Sequence, residues 1–374
     1  MLIYIVIFIN YIDIYINCGR TYILSQFITI QSGNLCGVLK MPEIRKIQKT
    51  GGSTFIVSLP KEWAKNNVKR GDGVTITTLG NSLIISTKRE HEKSKQVSVP
   101  YHKENLDRLL RLVIGYYLVG YNTIRIVSEH VFRDRDKIKD VIKRSVIGLE
   151  IIKESGHEMV FQNFLKYDDL PLTQTISRIH TITCSMYADI LKALTYQQPI
   201  KTKHILRDVI KRENEVDRFY LLGVRQLKSA IYNKEVGEKL IANPIDCLGY
   251  RIVIKSIERI GDHIENIAVN LLKIKNLQKY SHIIQDILGL GQTIHRNCIK
   301  AMKSLLKNNK ELAEQSIEES KKANEMEIEI VRKIVKLPTD TAICFSSVVD
   351  SFKRIAEYSN DIGEITINIA CREK

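Results

Sequence analysis

Glu213 and Asp217, and again Glu258 and Asp262, are carboxylates four residues apart in stretches of helical periodicity. That spacing stacks the two acids of each pair on one helix face. Stepping alternately four and three residues gives Leu206, Ile210, Glu213, Asp217, Tyr220, Val224, Leu227 and Ile231, an apolar stripe broken by the two acids. In the second stretch Ile257, Ile260, Ile264, Ile267 and Leu271 form the stripe. Glu258, Asp262 and Glu265 run beside it, about 100° round the helix. Carboxylates gathered between two packed helices repel one another and lose hydration, so they require a metal ion or a Lys or Arg. The plain alternative is two solvated acidic faces, common in a chain that is 26% charged, and the interrupted stripe argues against it. Hard oxygen donors, without a Glu-x-x-His pair or clustered cysteines, favour Mg, Mn or Fe over a closed structural zinc site. His263, beside Asp262, is either a further ligand or a surface histidine.

The words around these acids are more specific than their spacing. Ser256-Ile-Glu-Arg-Ile-Gly-Asp-His-Ile-Glu-Asn-Ile-Ala268 resembles the signature helix of the PhoU family of phosphate-uptake regulators. Glu213-Asn-Glu-Val-Asp217 resembles the acidic motif of that family's preceding helix. A diluted copy follows, with Glu325-Met-Glu-Ile-Glu329 parallel to the first motif and Ser351-Phe-Lys-Arg-Ile-Ala-Glu-Tyr-Ser-Asn-Asp-Ile-Gly363 parallel to the second. Two tandem three-helix repeats are implied. The resemblance also implies multinuclear iron or zinc on these motifs, so the expected ions are divalent or trivalent Fe, Mn, Mg or Zn. Expected ligands are Glu213, Asp217, Glu258 and Asp262 in the first repeat and Glu325, Glu329, Glu357 and Asp361 in the second. Lys353, however, stands in the place of Glu258 and brings its own positive charge, which makes the first repeat the better metal site.

Upstream, residues 45–87 alternate short β-branched runs with turns: a strand, Gly51-Gly52, a strand ending in Leu59-Pro60, a short basic helix, Gly71-Asp72-Gly73, and two strands about Gly80-Asn81. Such a unit is too small to bury much core alone. Its order resembles the swapped-hairpin DNA-binding domain of the SpoVT/AbrB and MazE type, whose members fold as intertwined dimers, and the two resemblances together suggest an archaeal type of regulator. Residues 41–100 hold 11 Lys plus Arg against 5 Asp plus Glu, a large share of the chain's formal +15. Doubled in a homodimer, that charge attracts phosphate backbones. Arg45, Lys46, Lys49, Ser53, Lys61 and Lys65 are the expected DNA contacts, the first four carried over from the strand and glycine turn that the resembled family presents to DNA.

The expected architecture is therefore multidomain: a β-rich, AbrB-like dimer domain over 41–92, a small α/β connector over 101–166, and an all-α bundle with repeats over 170–276 and 278–374. In the connector, periodicity predicts a helix from His102 to Gly120, a strand over 123–127, a charged helix over 131–147 and a hairpin across Ser155-Gly156. Breaks at Tyr196 to Pro199, Asn243-Pro244, Asn276 to Tyr280 and Leu337-Pro338 divide the rest into roughly six helices. Seven scattered cysteines without a Cys-x-x-Cys suggest buried thiols in a reducing, cytoplasmic setting. Residues 1–40 begin with an apolar stretch interrupted by Asn10 and Asp13. Three readings fit it: translation assigned too far upstream, with the native start at Met41, a membrane anchor, or an ordered extra element. No membrane span is expected in the mature protein.

Three functions are compatible with these features. One is a metal-bearing transcription regulator of phosphate uptake. Another is a PhoU-type protein that regulates a phosphate transporter or sensor by direct contact, without DNA. The third is redox or hydrolytic chemistry at a two-metal site, for which no nucleophile, phosphate-binding glycine loop or paired histidines are found. The expectation is a regulator rather than an enzyme.

Overall fold

The hydrophobic period changes from two to about three and a half along the chain, and the computed structural model follows it. It describes residues 43–372 apart from 80–81, 88–94, 102–105, 166–169, 197, 233–236 and 238–244. Residues 1–40, the Gly80-Asn81 turn and the Asn243-Pro244 break lie outside the described residues. The chain divides into two compact units between residues 89 and 90.

In the first unit β1 (Gln48–Thr50) and β2 (Thr54–Ile56) pair antiparallel, with Thr50 opposite Thr54. Gly51 turns the chain at φ 61°, a left-handed conformation that costs glycine little. Pro60 leads into α1 (Lys61–Asn67), where its missing N–H is harmless. β3 (Val74–Leu79) and β4 (Ser82–Thr87) form a second hairpin. Among the described residues 43–87, none is buried, and Phe55, Ile76 and Leu83 are each more than half exposed.

The second unit begins with a four-stranded sheet: β5 (Gln96–Pro100), β6 (Thr123–Val127), β7 (Leu149–Glu154) and β8 (Glu158–Asn163), in the order β5-β6-β8-β7. α2 (Leu106–Leu118) carries the chain from β5 to its parallel neighbour β6, and α3 (Arg135–Ser145) lies between β6 and β7. Val99, Val113, Tyr117, Ile124, Ile126, Ile138 and Phe161 fill the space between helices and sheet. The helix, strand, helix and hairpin expected here are all present. β5 is an addition that starts the connector at Gln96 rather than 101.

Six helices follow: α4 (Leu172–Thr195), α5 (Pro199–Tyr232), α6 (Asp246–Lys273), α7 (Ser281–Leu306), α8 (Lys310–Ile334) and α9 (Thr339–Ala370). Asn276, at φ 51°, ends the first repeat ahead of a 3-10 turn over Leu277–Tyr280. A further break falls at Asn308, with φ 48°, and Asn309 Oδ1 caps α8 by accepting from Leu312 N–H at 2.7 Å. α6 and α9 pack against each other at the centre of one continuous core that draws on all six helices. Each fully buried isoleucine or phenylalanine there contributes about 1.5–3 kcal/mol. Across the α6–α9 contact, Asn266 donates to Ser351 Oγ at 2.8 Å and Asn270 to Ser347 Oγ at 3.2 Å.

α5 also holds the connector. Arg225, only 2% exposed, donates to the carbonyl oxygens of Tyr117 and Tyr121 and to Asn122 Oδ1, with its guanidinium 4.7 Å from the centre of the Tyr117 ring. Those carbonyls close the C-terminus of α2, where the negative end of the helix dipole welcomes a cation. Among the described residues no helix is long and apolar enough to cross a membrane.

Candidate metal centre and nucleic-acid interface

The residues of α5 buried in the core of the bundle are Leu206, Val209, Val216, Leu227 and Ala230, and Glu213 falls in that row between Val209 and Val216. Of the expected stripe, Leu206, Val224 and Leu227 are buried and Ile210 and Tyr220 pack against the core, but its end swings out. Ile231 is 58% exposed, because a strict 3.5-residue step drifts about 20° per heptad from a straight helix and α5 is 34 residues long. Glu213 and Asp217 are both half-buried on this side of α5. On α6, Gly261 makes the approach close: a Cβ there would lie 3.1 Å from Val216 Cγ1.

This approach brings one oxygen each of Glu213, Asp217 and Asp262 within 4.8 Å of one another. The first two are half-buried, and Asp262 is accessible at the rim. Burial, then the neighbouring charges of Asp217, Glu265 and Asp262, pushes the Glu213 carboxyl up to about 8. Asp262 is raised to about 7 by burial and by Glu258. Asp217 is raised by burial, an effect opposed by the hydrogen bond it accepts from Glu213 and by Lys255. Glu265, at the margin, is raised by burial and by Asp217. The trio therefore shares protons at neutral pH and has the donor chemistry to replace them with a hard cation.

Glu258 stands apart from the trio. Its carboxylate, with a side chain 8% exposed, receives Lys255 Nζ at 2.6 Å on both oxygens. His263 is not gathered into the cluster either. Its ring stacks on Tyr358 of α9 at 5.8 Å, and burial lowers its pKa.

The second repeat is built differently. Glu325 and Glu329 are exposed, Glu357 pairs with Arg354 at 2.9 Å, and Asp361 is raised by burial and by Glu364 and Glu357. Among the described residues, no group of three ligating side chains forms there. The acid on the inner row of α8 is Glu327, four residues after buried Ala323 and three before buried Ile330, as Glu213 sits between Val209 and Val216. Glu327 pairs with Lys353 Nζ at 3.2 Å, beside a cavity of about 320 Å³ that Glu357 and Asn360 also line. The word-by-word parallel with Glu325 is two residues out of register with the packing. The signal that finds Glu327 is its distance from Ala323 and Ile330.

In the first unit Arg45, Lys46, Lys49, Ser53, Lys61 and Lys65 are all exposed. Arg45 pairs with Glu43, and Lys49 lies 5.9 Å from the centre of the Phe55 ring. Ser53 sits in the β1–β2 turn, and Lys61 and Lys65 project from α1, one helical turn apart.

The family model described as PhoU domain matches residues 176–271 and 287–366, and the one described as antidote-toxin recognition MazE, bacterial antitoxin, matches residues 48–93. The helical region carries the PhoU domain in two repeats, and the N-terminal segment is similar to the MazE antitoxin domain. Similar solved structures include the phosphate transport system regulatory protein PhoU from Streptococcus pneumoniae, 14% identical over 54% of this chain and 94% of that one, with a TM-score of 0.47. PhoU from Pseudomonas aeruginosa is 12% identical over 53% of this chain and 94% of that one, with a TM-score of 0.43. No curated protein matches the chain.

Proposed function

We propose that this protein is a cytoplasmic DNA-binding regulator of phosphate uptake whose first PhoU repeat holds a metal ion. The observation that carries the reading is the union, in one chain, of a MazE-family segment and a PhoU region with the carboxylate trio Glu213, Asp217 and Asp262. Three protonated or repelling carboxylates are relieved when an Fe, Mn, Mg or Zn ion takes their protons' place. Bound there, the ion supplies positive charge that fixes the packing of α5 against α6.

The N-terminal unit acts as a homodimer. With no buried residue among those described in 43–87, and with Phe55, Ile76 and Leu83 outward, it lacks a core that a second copy would supply. In the dimer Arg45, Lys46, Lys49, Ser53, Lys61 and Lys65 contact phosphates, and metal occupancy in the bundle sets DNA affinity. Elemental analysis of purified protein, paired with genome-wide mapping of its bound DNA, tests the reading. Bound metal together with occupancy upstream of phosphate-transporter genes is expected. Metal-free protein with no DNA retardation at low salt refutes it.

A second reading keeps the PhoU region and gives the protein a phosphate transporter or sensor as its direct partner. The family match to PhoU supports it, and loss of DNA binding with transporter regulation intact would select it.

A further inference from the structure

The trio of the proposed metal site omits Glu258, although Glu258 precedes Asp262 by one turn of α6. The omission has a visible cause. Lys255, three residues earlier on the same helix, places its ammonium 2.6 Å from both oxygens of Glu258. The ammonium also lies 5.0 Å from the centre of the Tyr220 ring, whose hydroxyl accepts from Arg251 at 3.1 Å. Surface pairs at this spacing contribute little. Here the carboxylate is 8% exposed and near enough to Asp217 and Asp262 to interact with their charges, so Lys255 neutralises a group that would otherwise join them. The second repeat repeats the device in fixed form, with Lys353 at the position parallel to Glu258 and paired with Glu327.

Resting on the metal reading above, we infer that Lys255 is a resident counter-cation that withholds Glu258 from the ligand set. The centre offers three carboxylates to an incoming ion, and a fourth only when Lys255 lets go. Lys255 is a positioning residue that acts through Glu258.

The test is a Mn2+ titration of the full chain, with free ion read by electron paramagnetic resonance, on the wild type, Lys255→Met, Arg251→Met and Lys255→Met/Glu258→Gln. Methionine keeps the aliphatic stem over Tyr220, Lys255→Gln serves should that variant misfold, and circular dichroism reports the fold. Removing a charge-assisted hydrogen-bonded pair from Glu258 is expected to tighten Mn2+ binding about tenfold in Lys255→Met. Arg251→Met removes the same charge one turn away without touching Glu258, and is expected to change affinity by less than about threefold. Adding Glu258→Gln is expected to abolish the gain. Equal gains from Lys255→Met and Arg251→Met, or a gain that survives Glu258→Gln, would overturn the inference. Absence of Mn2+ binding by every variant would remove the metal reading with it.

Discussion

Gly261 on α6 faces Val216 on α5 so closely that a methyl group on the glycine would sit 3.1 Å from Val216 Cγ1. Asp262 is the next residue, and Asp217 follows Val216, so this contact fixes the distance across the carboxylate trio. Gly261→Ala gains about 1 kcal/mol of helix propensity and loses about 1–3 kcal/mol to overpacking. Denaturant melts should therefore move little, while metal affinity measured by isothermal titration should fall severalfold. Unchanged affinity would show that the spacing set at Gly261 does not matter to the site.

The raised carboxyls make a signed prediction about pH. Glu213 titrates at about 8 and Asp262 at about 7 in the folded chain, against ordinary values of 4.5 and 3.8. Over that span these two groups bind more protons in the folded state than in the unfolded one, and above about 6.5, where the opposing half-buried histidines His180, His263 and His295 are neutral in both states, metal-free protein should lose stability as pH rises to about 8. Excess metal should abolish that loss, since ionised carboxylates are then the favoured form. Thermal melts across this range with and without Mn2+ check it, and a metal-free melting temperature that climbs through the window contradicts it.

The two repeats should respond differently to loss of their acids. Asp217→Asn removes a member of the trio and should lower metal content about tenfold or more. Glu325→Gln and Glu329→Gln alter exposed groups on α8 and should leave it unchanged. Elemental analysis of the three variants decides, and a loss from either α8 variant would place a second ion there.

Arg225→Met should detach the connector from the bundle. The carbonyls of Tyr117 and Tyr121 and the amide oxygen of Asn122 lose charge-assisted bonds, a cost of about 3 kcal/mol in denaturant unfolding. Asp217 lies about 12 Å back along α5, so metal content should hold. A stability loss below about 1 kcal/mol would mean that the apolar contacts alone secure the junction.

Lys49→Ala and Lys65→Ala each remove one expected phosphate contact. Both should weaken DNA binding about equally on every sequence and lower the salt dependence of affinity by about one unit in a log–log plot. A variant that lowers affinity for a single sequence only would mark that lysine as a base contact.

Much of the fold was legible in the residues because the periodicities are long. The six helices, the two repeats and the hairpin across Ser155-Gly156 all announce themselves in runs of apolar spacing or turn residues. β5 does not, since Val97-Ser-Val-Pro100 is short and ends in a proline that argues against a strand. Glu213 and Asp217 were legible as acids inside an apolar row and Asp262 as an acid beside one, whereas the pairing of Glu258 with Lys255 depends on one lysine rotamer that no spacing rule supplies. The register of the second repeat was misread for a related reason. Sequence words pair Glu325 with Glu213, but packing selects Glu327, and that choice is made by Ala323 and Ile330 rather than by the acids.

The bareness of the N-terminal unit bears on dosage. With no buried residue among those described in 43–87, a unit that pairs as proposed would order itself by meeting another copy, so its folding would be a second-order process and its stability would rise with the number of molecules in the cell. Synthesis rate would then become an input in its own right: at low abundance the chains would stay apart and silent on the chromosome, and a modest rise in copy number would switch on the proposed DNA recognition more steeply than in proportion.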